Sequence, residues 1–371
     1  MGDFGARVIK VEHPKKGDTV RTMPFLKNEV SLFFKTIGRN KECITLDLKA
    51  DESKEIIRDL VKDADVILES FRPGVMERYG LGYDVLKSYN PRIVMARLSA
   101  FGQKGPYSHK PGFATVADAF SGFAIQQGHA DREPLLAPYG YSDWIAGIIG
   151  AYAVMVALYE RDNHSGEGQE VDLTIYQGPF SFVGPHVSWF DQLGVKPQRM
   201  GNRVPAAAPR GLYKTKDDKW CVVACSTPVM WERICVSMDR RELIDDERYK
   251  DAVSRVANVD EVDDIMNGWL STITLAEALK VLEANDVACG PVMDVEDIMN
   301  DPHYKARGDI VEVEDEDLGT IKMQNMLFGL SRTPGKVRFT PGAMGACNEK
   351  IYSSLGYSAE KIAELKAKGV I

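Results

Sequence analysis

The chain has 371 residues and a mass of 41.2 kDa, room for two domains, or one large domain with an insert, at roughly 150 residues each. Apolar residues at 44% and charged residues at 27% exclude the disordered and fibrous classes. With 46 basic against 54 acidic side chains, a net charge of −8, the chain lacks the basic footprint of a nucleic-acid binder. An anionic small molecule would need a local basic site.

The opening MGDFGARVIKVE has neither the basic start nor the apolar stretch of a signal peptide, and Ala6 stands where a myristoylation motif needs Ser or Thr. A cytoplasmic location is expected. Val8 to Val11 reads as a short strand, and Ile44, Leu46 and Leu48 alternate with polar residues as a second. Ile56, Ile57, Leu60 and Val61 mark one face of a helix, and Val66 to Leu68 and Ile93 to Met95 read as further strands. Strands interleaved with helices imply βαβ units and a doubly wound, mainly parallel sheet in a Rossmann-like α/β domain. Ligands of such sheets bind beyond the carboxyl ends of the strands, where the Gly- and Pro-rich segment SAFGQKGPYSHKPG at 99–112 falls.

Trp144 to Tyr159 is the longest apolar run, too short for a bilayer span of about 20 residues, and is expected to be a buried helix; Val171, Leu173 and Ile175 then alternate as a strand. Three prolines in 196–211 suggest a crossing between domains. Beyond it come a strand at Trp220 to Ala224, a capping box from Thr274 to Glu277 ahead of Leu275, Leu279 and Leu282, and two strands around EDEDLG, expected to be a solvated turn. The expected domains are 1–204, a smaller α+β domain at 205–324, and a tail at 325–371 returning to the first.

The chain has no complete GxGxxG after a strand, no GxxxxGK[ST], no HExxH and no GxSxG, and its six histidines are scattered. Six cysteines without a CxxC pair read as reduced structural thiols, with no metal site. One carboxylate stands out. Asp143 lies at the polar edge of the apolar helix, where it is either an N-cap, a task Ser142 could equally perform, or an anion held at a helix N-terminus and poised for nucleophilic work.

Taken together, GARVIKVEHPKKGDTVR (5–21), RNKECITLDLKADE (39–52), ADVILESFRPGVMERYGLGYDVLKSYNPRIV (64–94), SAFGQKGPY (99–107) and the segments at 142–177, 285–308 and 355–371 resemble the class III CoA-transferases. That family includes formyl-CoA transferase and carnitine CoA-transferase and shares its fold with α-methylacyl-CoA racemase. The resemblance implies that Asp143 is a nucleophile carrying aspartyl anhydride and aspartyl-CoA thioester intermediates. It places Phe71 and Arg78 in the CoA groove with Leu46 and Ser70 as backbone neighbours, adds His13 as a further candidate, and gives Gly102 and Gln103 the loop over the thioester. It implies no permanently bound cofactor, acyl-CoA and a small carboxylic acid as substrates, no nucleic-acid or membrane partner, and an interlocked homodimer.

Two departures qualify it. Phe113 and Ala114 follow Gly112 where the racemase branch carries His and Asp, which favours transfer over α-proton exchange. Family members also open about twenty residues earlier, so an N-terminally truncated, noncatalytic CoA-binding homologue stands beside the racemase as an alternative. The segment at 120–144 is closer to carnitine-type than to formyl-type members.

Overall fold

The computed structural model describes residues 1–371, which form two compact units. The first comprises Met1–Ser121, Pro138–Phe182 and Met299–Ile371; the second comprises Gly122–Ala137 and Val183–Ile298.

In the first unit the chain runs through β1 (Val8–Glu12), the hairpin β2 (Leu26–Lys27) and β3 (Val30–Ser31), α1 (Leu32–Ile37), β4 (Lys41–Thr45), α2 (Ser53–Lys62), β5 (Val66–Glu69), α3 (Val75–Arg78), α4 (Tyr83–Tyr89) and β6 (Val94–Ser99). Then follow α5 (Ala114–Phe120), α6 (Tyr141–Glu160), β7 (Glu170–Thr174) and α7 (Gln177–Ser181). The main strands pair in parallel, β1 with β4 and β6 with both β5 and β7, giving the Rossmann-like α/β architecture expected from the sequence. Ile93 to Ala96 are fully buried, because helices cover both faces of a parallel sheet and leave no place for polar alternation. Ile44, Ile56, Leu86, Met95 and, from the tail, Ile351 and Leu365 share one core, which joins both parallel sheets to the C-terminus.

α6 corrects two expectations. With the π-helical turn Arg161–Ser165 it makes a 25-residue segment that, by length and composition only, could cross a membrane, so the helix extends beyond the apolar run from which its length was judged. Nor is the helix buried throughout. Ile145, Ala146, Gly150, Val154 and Ala157 face inward, against β6 and β7, while Trp144, Ile148, Tyr152, Met155 and Tyr159 are exposed. The apolar residues encircle the helix, but this unit covers only one side of it.

The second unit holds α8 (His186–Leu193), an antiparallel sheet of β8 (Arg210–Lys214), β9 (Trp220–Ala224) and β10 (Cys289–Pro291), and the helices α9 (Pro228–Ser237), α10 (Ala252–Ala257), α11 (Val259–Leu270) and α12 (Leu275–Ala284). The capping box opens α12 as read from the sequence, with Thr274 and Glu277 satisfying each other's backbone. Trp231, Ile234, Leu270 and Leu282 form its core. Arg255, fully buried, donates to the carbonyls of Ala208 and Tyr249.

After α13 (Val295–Asn300) and α14 (Pro302–Arg307), the hairpin of β11 (Ile310–Asp315) and β12 (Gly319–Gln324) leads to α15 (Asn348–Ser354) and α16 (Ala359–Ala367). The hairpin belongs to the first unit, so the return begins at Met299, where the sequence suggested 325. The reason lies in the acidic turn. Asp315 is buried, forms an ion pair of 2.8 Å with the buried Lys35 of α1, and accepts from Thr340 Oγ1 at 2.5 Å; the turn is an anchor and not merely solvated.

Burial alone would raise Asp315, but its bonds to Lys35 and Thr340 hold it below the usual carboxylate range. Its stabilisation is therefore complete above the unfolded value of about 3.9 and is lost as pH falls through the lower folded value. Urea unfolding between pH 6 and pH 3 should show a steep acid loss of stability, and Asp315→Asn should flatten it while costing about 3 kcal/mol at neutral pH, as a broken buried pair does.

Candidate active site

The candidate residues gather at the carboxyl ends of the parallel strands, where an open α/β sheet binds ligands. His13 follows β1, Leu46 follows β4, Ser70 and Phe71 follow β5, and Gly102 and Gln103 lie in the loop after β6. The amide of Leu46 donates to the carbonyl of Glu12, which sets the β1 and β4 ends side by side. The Leu46 side chain is in the core, so only its backbone edge can meet a ligand. His13 Nδ1 accepts from the amides of Lys15 and Lys16 at 3.1 and 3.4 Å. The imidazole closes a turn that displays two exposed lysines.

After β5 the chain turns through Ser70 and Phe71 into α3. Ser70, Phe71 and Arg78 are all exposed; Phe71 meets Tyr79 edge-on, with ring centroids 6.4 Å apart, and is not a core residue. Arg78 makes no ion pair, which leaves its guanidinium open to an anion. A network absent from the sequence reading holds this segment. Buried Arg97 of β6 pairs with Glu69 at 2.8 Å, Glu77 at 2.7 Å and Glu170 at 3.2 Å, and Glu69 accepts the amide of Phe71 at 2.7 Å. Both ends of the segment thus hang on one guanidinium. A charged residue in an otherwise apolar strand was the available signal, since such a strand can bury an arginine only with partners.

In the β6 loop, Gly102 has φ +88°, and a Cβ there would lie 3.2 Å from Thr174. Its amide donates to Ser99 Oγ and that of Gln103 to both carboxylate oxygens of Asp172, fixing the loop to β7. Gln103 Nε2 is buried without an acceptor, an unmatched donor of the sort that folded proteins rarely keep. Phe101 and Phe120 pack ring to ring 5.1 Å apart and tie this loop to α5.

Asp143 stands in the first turn of α6 and does not cap it. The N-cap is Gly140, with no side-chain cap hydrogen bond, and Ser142, expected as an alternative cap, is buried and donates instead to Asp118 of α5. Gly140 has φ +26°, and a Cβ there would lie 3.0 Å from Asp143 Oδ2, so a larger residue would press on that carboxylate. The Asp143 carboxylate accepts no hydrogen bond, and burial first, then the charge of Asp118, raise it above the ordinary aspartate range. Phe113, 79% exposed, stands ahead of α5 with no imidazole in its place. The buried thiols are poor nucleophiles in both units, since burial pushes Cys43 and Cys221 up to about 11 and Cys235 to about 12.

Strand-end loops and a carboxylate free of hydrogen bonds in the first turn of a helix are the features of an α/β enzyme, and the family comparison specifies the class: residues 1–348 match the model of CoA-transferase family III. The chain belongs to that family and is a CoA-transferase. It is 36% identical, over its whole length and 92% of the relative, to succinyl-CoA–D-citramalate CoA-transferase of Chloroflexus aurantiacus. It is 33% identical, over 84% of this chain and 80% of the relative, to acetyl-CoA:oxalate CoA-transferase of Acetobacter aceti. Among solved structures, a CAIB/BAIF family protein from Brucella suis superposes with a TM-score of 0.83 at 27% identity, covering 95% of this chain and 93% of that one.

Proposed function

We propose that the enzyme moves CoA from a succinyl-type donor to a small hydroxy-dicarboxylic acid through covalent adducts on Asp143. A carboxylate oxygen of Asp143 attacks the thioester carbonyl carbon; the C–S bond breaks, CoA leaves as thiolate, and a mixed anhydride remains. The thiolate then attacks the Asp143 carbonyl carbon, releasing the donor acid and leaving an aspartyl-CoA thioester. The acceptor carboxylate displaces the thiolate to form a second anhydride, and the thiolate attacks the acceptor's carbonyl, which makes the new thioester and restores Asp143. Splitting the exchange into such steps is the advantage of nucleophilic catalysis.

The observation that carries this reading is the Asp143 carboxylate itself, set in the first turn of a long helix with neither a cap to make nor a hydrogen bond to satisfy. The helix terminus favours its anionic form. Gln103 offers its unmatched donor to a substrate oxygen, and Arg78 its free guanidinium to a CoA phosphate. The donor and acceptor classes rest on the names of the relatives at 36 and 35% identity, which join succinyl-CoA to D-citramalate and L-malate. A homodimer belongs to the same proposal, because a second copy laid on the exposed face of α6 would cover Ile148, Tyr152 and Met155.

The test is a panel of succinyl-, acetyl- and formyl-CoA against citramalate, malate, oxalate and carnitine in heavy water, read by mass. Exchange should be fastest between succinyl-CoA and a hydroxy-diacid, with no enzyme-dependent deuterium at the α-carbon. A chiral 2-methylacyl-CoA is run beside the panel: α-deuterium uptake on it without CoA exchange would make the protein a racemase, and a chain inert to every pair would make it a noncatalytic binder.

A further inference from the structure

Asp118 is 2% exposed and makes no ion pair. Its carboxylate has as partner the hydroxyl of Ser142, itself fully buried. An unpaired buried carboxylate is costly to a fold, so one kept here calls for a reason. Its place suggests one: α5 packs on α6, and Ser142 directly precedes Asp143. The buried charge thus bears on the turn that carries the nucleophile.

We infer that Asp118 is a positioning residue that drives acylation of Asp143, holding the first turn of α6 through Ser142 and repelling the Asp143 carboxylate only while that carboxylate is free. The inference rests on Asp143 as the nucleophile. In the free enzyme the Asp118 carboxylate is bonded to Ser142, the residue next to Asp143, so two carboxylates bear on one helical turn. When an Asp143 oxygen bonds to the acyl carbon and the C–S bond breaks, the negative charge departs with the CoA thiolate and Asp143 becomes a neutral anhydride. The repulsion ends at that step. The thioester that follows is neutral as well, so each covalent state is favoured over the free carboxylate. A helix terminus alone would act in the opposite sense, stabilising the resting anion.

Other charges on the elements packed against α6 are spent elsewhere. Arg97 of β6 and Glu170 of β7 pair within the network at the β5 end. Asp172 of β7 accepts the amide of Gln103, α7 has no charged residue, and Glu160 lies at the far end of α6. Asp118, one hydrogen bond from the residue next to Asp143, is the charge on these elements left to bear on it.

Asp118→Asn keeps the shape and the contact with Ser142 and removes the charge. It should lower the acylation rate about tenfold, the order of one charge–charge interaction, and move the acid limb of the kcat/KM profile to lower pH, because Asp143 then ionises more readily. It should leave Tm unchanged or higher, since an unpaired buried charge is gone. Asp118→Glu should restore much of the rate, and Ser142→Ala, which keeps the charge, should leave the acid limb where it is in the wild type. A variant Asp118→Asn with unchanged rate and unchanged acid limb overturns the inference while Asp143 stays acylated in the wild type. So does an Asn variant that fails to fold, which would make Asp118 a packing residue. Absence of any adduct on wild-type Asp143 overturns both readings together.

Discussion

Asp143→Asn loses CoA exchange by at least about a thousandfold, as enzymes that lose a covalent nucleophile do, and keeps its fold. The activity falls because the amide is a far poorer nucleophile and no neighbouring group takes over: Asp118 is buried and bonded to Ser142, and the buried thiols are held protonated. The fold survives because Asp143 neither caps α6 nor accepts a hydrogen bond. What it gives up is an interaction with the helix dipole of about 0.3 to 1 kcal/mol, offset by relief of repulsion with Asp118. Exchange assays beside urea unfolding of the same preparation check both halves. A stable variant with more than a tenth of wild-type exchange would return Asp143 to a surface role.

Arg97→Met has the second largest expected effect, on stability and on substrate binding together. Removing the guanidinium leaves Glu69 buried without its partner, a loss of about 3 to 5 kcal/mol. It also frees the segment from Ser70 to Arg78, because Glu69 holds the Phe71 amide and Glu77 sits on α3. KM for acyl-CoA should rise while kcat changes less, the pattern of lost uniform binding. Arg78→Ala separates the two effects: the side chain is exposed and unpaired, so KM should rise with stability unchanged. Equal stability of Arg97→Met and wild type would show that the network contributes nothing to the fold.

Much of the first unit was legible in the sequence because its signals are local. β-branched runs and helical periodicity mark β1, β5, β6 and α2, and the strand-end rule then points to the 99–112 loop that holds Gln103, while His13, Leu46 and Phe71 were legible only through the family resemblance. The missed features all depend on partners distant in sequence. EDEDLG opens with four acidic residues in a row, and nothing in it tells that Asp315 meets Lys35, 280 positions earlier. Arg97 and Asp118 sit in apolar segments, where a charge signals a buried bond without naming its partner. Capping of α6 was misjudged for a similar reason: Ser142 and Asp143 are both good N-caps by type, but Gly140 occupies that position, and α5 claims the Ser142 hydroxyl. The encircling apolar residues of α6 read as full burial, since periodicity reports where apolar side chains lie and not how much of the surrounding surface belongs to the same unit.

The central claim is that the acyl group rides on Asp143, and covalent trapping tests it most directly. The wild-type enzyme is incubated with succinyl-CoA and no acceptor, quenched with hydroxylamine, digested, and mapped by mass. The account predicts a hydroxamate on the peptide containing Asp143, absent from Asp143→Asn and diminished when acceptor acid is added before the quench. A hydroxamate on another residue, or exchange that proceeds at full rate with no adduct anywhere, would contradict it.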